Sequence, residues 1–276
     1  MTGSCSGAAG TATVCDPGPM SIQDWAKRFD EAYAPAESPT RQAVMREVLG
    51  DDYPEGLDTN SFVTLSELQR YARDLRVRDG DLLVDAACGR GGPGLWVAAR
   101  TGARLLGIDF AASAVEHERA RTEAAGMSDR AEFRVARFEE TGLDDDAAEA
   151  IMSVDSLIFS EDKPAAIREL HRILRPGGRF VFSSWDYEGE VPWRPPMLDD
   201  HRPLLEGTGF DVLAYDETED WKARQYRYCD AALERIEQIA ADVGTDAEES
   251  RAMLEQMREG MATMTRRVFV VAVKRT

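Results

Sequence analysis

The sequence predicts an α/β protein built on a doubly wound, mainly parallel sheet. Two observations carry that expectation. From residue 81 onward, short apolar runs alternate with helical stretches, which is the rhythm of repeated βαβ units. The run LLVDAACGRGGPG, from Leu82 to Gly94, then feeds a strand into a glycine-rich turn. Asp109 closes the next apolar run, LLGID, 20 residues after Gly89. In such folds glycines let the backbone approach a nucleotide, and the second strand delivers a carboxylate to its ribose hydroxyls.

Five strands are read at 81–87, 104–109, 131–136, 149–155 and 179–184, as short buried segments. Helices fall between them at 92–101, 111–126 and 163–174. In the last, Ile167, Leu170, Ile173 and Leu174 share a face, and Pro176-Gly177-Gly178 ends it. Two further strands are read at 210–215 and 267–274. Upstream, 21–33, 40–49 and 60–76 read as helices, the third from Phe62, Leu65, Leu68, Ala72 and Leu75 at helical spacing. Between the last two strands, 222–262 reads as a helical cap with Tyr226, Cys229, Leu233, Ile236 and Ala240 in one stripe. Gly244 breaks it, Thr245 with Glu248 fits a capping box, and Met253, Met257, Met261 and Met264 continue the apolar face. The expected organisation is a disordered tail over 1–20, a helical lid over 21–80, and a ligand-binding α/β domain over 81–276 that carries the cap insertion 222–262.

The 276 residues are enough for one large domain with additions, and 43% hydrophobic content supports a filled core. No apolar run approaches the ~20 residues of a membrane span. A net charge of −18 argues against a nucleic-acid partner and favours a neutral or cationic substrate. Cys5, Cys15, Cys88 and Cys229 form no CxxC pair, which points to a reducing compartment. The first twenty residues lack the basic start and apolar centre of a signal peptide, so a cytoplasmic location is expected. No His/Cys/Asp set has metal spacing, and no metal is expected.

Gly89, Gly91 and Gly94 also satisfy the GxGxxG spacing of dinucleotide sites. Asp85, placed inside the first strand, argues against that reading, as does the lack of a second nucleotide-binding half. Val84-Asp85-Ala86-Ala87-Cys88-Gly89-Arg90-Gly91-Gly92 resembles the first motif of the class I S-adenosylmethionine-dependent methyltransferases of small-molecule, natural-product type. Gly107-Ile108-Asp109-Phe110 is similar to the segment bearing their ribose-binding acid, and Leu174-Arg175-Pro176-Gly177-Gly178 to the turn before their fifth strand. The resemblance spans residues 60–276. It implies a Rossmann-like seven-stranded sheet whose last strand, 267–274, is antiparallel. It also implies S-adenosylmethionine as cofactor and O- or N-methylation of a small organic acceptor, in bacterial secondary metabolism. The alternative keeps the cofactor as a bound structural element while the capped pocket catalyses a rearrangement or cyclisation.

On this resemblance, backbone groups at Ala87 and Gly89 meet the methionyl end of the cofactor, and Gly91 leaves room for its approach. Asp109 accepts both ribose hydroxyls and Phe110 packs on the adenine, with Asp85 and Asp155 completing the cofactor site. Ala87 stands where the family has a glycine. Arg137 stands where the family has the acid that accepts from the adenine amino group. Arginine cannot accept, so the backbone of Phe138, or Glu139 or Glu140, is left to hold the ring.

The acceptor is expected above the carboxyl ends of strands four and five, which deliver Asp155, Phe159, Trp185 and Tyr187. Asp155 reads equally as a loop-bonding carboxylate, and Trp185 and Tyr187 as packing beneath the cap. Trp25, Phe29 and Tyr33 share a face of the first helix. That face either docks on the core or, as in similar small-molecule methyltransferases, closes as a lid that excludes water. Of the three histidines, His117 and His171 read as solvated. His201, after Pro195-Pro196, is the candidate general base, beside Asp155 and Tyr187 as catalytic candidates. The lack of a dedicated base favours an amine or an acidic phenol as acceptor. The amphipathic cap is a candidate surface for homo-oligomers.

Overall fold

The apolar runs fold into β1 (Leu82–Ala86), β2 (Arg104–Asp109), β3 (Ala131–Val135), β4 (Ala148–Val154), β5 (Leu174–Tyr187), β6 (Phe210–Glu217) and β7 (Met264–Lys274). The computed structural model describes residues 21–33, 37–57, 60–124, 126–191 and 194–276. The expected tail over 1–20 and the side chain of His117 lie outside the described residues. The strands form one seven-stranded sheet in the order β3-β2-β1-β4-β5-β7-β6. β7 runs antiparallel to both β5 and β6, and the remaining pairs are parallel. This is the Rossmann-like sheet with an antiparallel last strand. β1 and β4 are buried almost throughout, which is why they read as unbroken apolar runs and not as alternating ones.

Helices α4 (Gly92–Thr101), α5 (Ala112–Ala124), α6 (Lys163–Ile173) and α7 (Arg202–Thr208) connect the strands. Together with α3 (Leu65–Asp74), α4 packs Leu68, Tyr71, Val97 and Ala98 onto one side of the sheet. α6 and α7 bring Ile167, Leu170 and Leu205 to the other. Each such leucine contributes roughly 1.5–3 kcal/mol through burial. α3 starts at Leu65 and not near residue 60 because Thr64 and Glu67 form a reciprocal capping box there. β5 pairs earlier than expected: Leu174 sits opposite Ala148, Arg179 opposite Ala150, and Arg175–Gly178 bulges out between them. Pro176 has no N–H to offer the ladder, which favours its place in that bulge.

The cap is three helices, α8 (Trp221–Glu234), α9 (Ile236–Val243) and α10 (Ala247–Gly260), with α2 (Pro39–Leu49) packed against α8 and α9. A break at Arg235 precedes the one at Gly244. Asp246, and not Thr245, caps α10: its Oδ1 accepts the amides of Glu248 and Glu249, both at 2.9 Å. A carboxylate there also meets the positive helix end. The methionine face is only partly buried. Met261 and Met264 are in the core, whereas Met253 is 50% exposed because α10 buries no residue completely. Among the described residues, no helix is long and apolar enough to cross a membrane.

Candidate functional site

Where the strand order reverses, between β1 and β4, the connections diverge and open a crevice at the carboxyl ends. Gly89 lies in the turn after β1 with φ 55°. A Cβ at that position would stand 3.0 Å from Tyr33 Oη, so glycine lets the turn and α1 (Ile22–Tyr33) meet. Ala87, the residue standing in place of a glycine, holds φ 58°. This left-handed conformation costs an L residue roughly 1–2 kcal/mol. Gly91, in the left-handed conformation, is the N-cap of α4, so the glycine turn leads directly into that helix.

Two carboxylates organise the turn. Asp85 is 1% exposed within β1 and accepts the amide of Gly94. A side chain at Gly94 would collide with its Oδ2, and that oxygen has no hydrogen-bond partner among the described residues. Burial, reinforced by Asp109, pushes the Asp85 carboxyl up to about 7. Asp109 Oδ2 accepts the Gly89 amide at 2.8 Å, and its Oδ1 accepts the Ala111 amide at 2.9 Å. Burial pushes this carboxyl up to about 6, against the pull of its backbone bonds.

Beside the turn opens a shallow cleft lined by Ala87, Asp109, Phe110, Arg137, Phe138, Glu139 and Phe159, among others. Five of the sequence-predicted cofactor residues thus come together. Arg137 stays half exposed, its Nε 3.4 Å from Glu139 Oε2. Glu139 Oε1 accepts the Ser160 hydroxyl at 2.7 Å, so a carboxylate stands at this end of the cleft despite Arg137. Glu140 does not line it.

The aromatic face of α1 lies across the cleft. The Phe29 ring is 5.6 Å from Phe110 and 4.9 Å from Phe159, and Trp25 is 5.1 Å from Phe159. Asp30 anchors the helix by accepting the amide and hydroxyl of Ser113, both at 2.9 Å. At the end of β5, Trp185 and Tyr187 are both buried.

Asp155 is committed to the fold. Its carboxylate accepts from Ser183 Oγ at 2.7 Å, Arg267 Nη2 at 3.0 Å and the Phe62 amide at 3.1 Å. Arg267, 1% exposed, also donates to Glu67 of α3. Neither Arg267 nor Glu67 stood out in the sequence as a partner. Two arginines at the start of an apolar strand were the available signal.

His201 is not brought to the cleft. It is buried, with Nδ1 3.0 Å from Asp186 Oδ1 and 3.2 Å from Tyr215 Oη, and it lines a separate small cavity with Leu157, Lys163 and Leu205. The reason is strand parity. Trp185 and Tyr187 point to one side of β5, so Asp186 points to the other and draws His201 with it. His171 packs edge-on against Phe210 at 5.0 Å and is half-buried, not solvated, because the end of α6 lies on that ring.

A family profile described as a methyltransferase domain matches residues 84–182. The chain is 35% identical over 115 residues to the methyltransferase GfsG of Streptomyces halstedii, covering 42% of this chain and 41% of that protein. The chain thus carries a methyltransferase-domain match over residues 84–182. It is also 29% identical over 185 residues to the 27-O-demethylrifamycin SV methyltransferase of Amycolatopsis mediterranei, covering 65% of this chain and 66% of that one. The matched stretches thus span less than two thirds of either relative's length. The [4+2]-cyclase SpnF shares the fold, with TM-score 0.72 over 94% of this chain and 98% of that one at 18% identity.

The residues fit S-adenosylmethionine, the cofactor that the motifs imply. Each carboxylate oxygen of Asp109 keeps a lone pair beyond its backbone bond, enough for two ribose hydroxyls. The glycine turn leaves the backbone bare, and Phe110, Phe138 and Glu139 offer an aromatic face and an acceptor where an adenine would lie.

Proposed function

We propose that this methyltransferase methylates an oxygen or nitrogen of a small organic acceptor in bacterial secondary metabolism, in the cytoplasm. The observation that carries the reading is the joint placement of Gly89, Asp109 and the α1 aromatics around one cleft. S-adenosylmethionine supplies an electrophilic sulfonium methyl group for in-line displacement. Backbone groups at Ala87 and Gly89 meet the methionyl end and Gly91 leaves room for it, Asp109 holds the ribose, and Phe110, Phe138 and Glu139 hold the adenine. Trp25, Phe29 and Tyr33 cover the reacting atoms and exclude water, and Phe159, Trp185 and Tyr187 line the acceptor side. Orientation of this kind supplies roughly 7–11 kcal/mol of a barrier.

Of the three catalytic candidates, Tyr187 has a buried hydroxyl with no hydrogen-bond partner among the described residues. Asp155 and His201 are spent on Arg267 and Asp186, and we assign both a positioning role. The test supplies S-adenosylmethionine labelled at the methyl carbon together with extract from a producing bacterium. Label in an extractable small molecule, with matching S-adenosylhomocysteine, is expected. Consumption of an acceptor without label transfer contradicts methylation and favours the rearrangement reading.

A further inference from the structure

α1 is fastened by polar bonds to two segments that flank the cofactor cleft. Ser113 is the second residue of α5, so its amide is one of the first-turn donors that a helix cannot satisfy from within. Asp30 of α1, 83 residues away, accepts that amide through Oδ1 at 2.9 Å. The Ser113 hydroxyl lies 2.9 Å from the same oxygen and 3.1 Å from the Asp30 carbonyl oxygen. A helix cap normally comes from the residue just before the helix, whereas this one is lent by another helix. Its negative charge also meets the positive end of α5. In the last turn of α1, the Ala32 carbonyl accepts Arg90 Nη2 at 3.3 Å, and the Arg90 guanidinium carbon stands 5.7 Å from the centre of the Tyr33 ring. Arg121 of α5 donates to the Arg90 carbonyl at 2.9 Å. α1, the glycine turn and α5 thus brace one another.

Ser113 follows Asp109 by four residues, along the stretch that carries Phe110, and Arg90 sits between Gly89 and Gly91. A ligand that holds these two segments still favours docked α1, and docked α1 holds them still for the ligand, because such coupling is reciprocal. Docked α1 also closes the way in. Phe29 packs on both Phe110 and Phe159, two walls of the cleft, and Tyr33 Oη lies against Gly89. The cleft left beneath is shallow, so a nucleoside enters or leaves when α1 lifts. The aromatic contacts are non-directional and can slide. The Asp30 bonds are directional and hold α1 at one position, so lifting must break them.

We propose that Asp30 is a positioning residue that latches α1 over the occupied cofactor cleft, and that breaking its bonds to Ser113 gates the exchange of S-adenosylhomocysteine for S-adenosylmethionine. The inference rests on the methyl-transfer reading and adds to it the step that separates one turnover from the next. Asp30 touches neither the methyl group nor the acceptor in this role. It acts through α1, keeping Phe29 and Tyr33 where they exclude water. A cap of this kind is strong enough to slow release and weak enough to open in every cycle.

The test uses the full chain and S-adenosylhomocysteine, following release of the labelled ligand into an excess of unlabelled ligand. Asp30→Ala should release it about tenfold faster than wild type. Asp30→Asn, whose carboxamide oxygen still accepts the Ser113 amide, should stay close to the wild-type rate. Ser113→Ala keeps the amide bond and loses that of the hydroxyl, so it should fall between them. It carries the test if Asp30→Ala does not fold. Amide hydrogen exchange supplies a second readout. In wild type, bound S-adenosylhomocysteine should slow exchange over Ile22–Tyr33, whereas in Asp30→Ala it should bind and leave that exchange fast. A carboxylate that served only to cap α5 would speed exchange over Ala112–Ala124 and change nothing else. An unchanged release rate, or α1 protected by the ligand as fully in the variant as in wild type, overturns the latch. If wild type binds the ligand and the variant releases it no faster, only the latch falls. If wild type does not bind it at all, the methyl-transfer reading falls and takes the latch with it.

Discussion

Asp109 Oδ2 accepts the Gly89 amide across 2.8 Å, so the carboxylate ending β2 fastens the turn that follows β1. A cofactor at this site meets a group already oriented by the protein. Its ribose hydroxyls donate to the ionised carboxylate, while burial has pushed that carboxyl up to about 6. Binding near pH 6 should therefore release protons, and affinity should fall as pH drops below 6. Titration calorimetry in two buffers of different ionisation enthalpy checks this. Heats that are independent of buffer would contradict it.

Asp85 makes the matching prediction for stability. Its folded carboxyl, raised to about 7 from an ordinary 3.8, takes up a proton more readily than in the unfolded chain. The stability it contributes is full below about pH 4 and is lost as pH rises through 7. Glu169 runs the other way. Although partly buried, it is held down to about 2 by Arg172 and Thr141, and its contribution is lost only as pH falls toward 2. Asp85→Asn should therefore melt a few degrees above wild type at pH 8, with the gap narrowing below pH 7 and closing near pH 4. Melting curves across that range test the sign.

Arg267 lies between Asp155 and Glu67, and all three are buried. Arg267→Met leaves two buried carboxylates without their cation and should cost about 3–5 kcal/mol in urea unfolding. Adding Asp155→Asn should recover part of the loss. Additive losses in the double variant would show that the contact does not couple these residues.

Ala87 carries a methyl group at φ 58°. Ala87→Gly relieves roughly 1–2 kcal/mol of native strain and loses about 0.4–1 kcal/mol through the freer unfolded chain. Stability should stay level or rise by about 1 kcal/mol. A clear fall would show that the methyl packs usefully.

Much of the cofactor site was legible because its information is local. Asp85, Gly89, Gly91 and Asp109 lie within two strands and one turn, and a strand ending in glycines fixes where each one points. The strands themselves were legible as apolar runs. The fates of Asp155 and His201 were not. The partner of Asp155 is Arg267, 112 residues away, and His201 follows Asp186 to the other side of β5 by a parity that composition does not reveal. The cap stripe was visible as one run, but the break at Arg235 comes from packing and carries no glycine or proline to announce it.

The most direct test of the central claim is calorimetric titration with S-adenosylmethionine and with S-adenosylhomocysteine, comparing wild type with Asp109→Ala. Micromolar binding of both ligands by wild type, weakened at least a hundredfold in the variant, is predicted. No binding to the wild type, or equal binding by both proteins, would contradict the assignment of Asp109 and the cleft as the cofactor site.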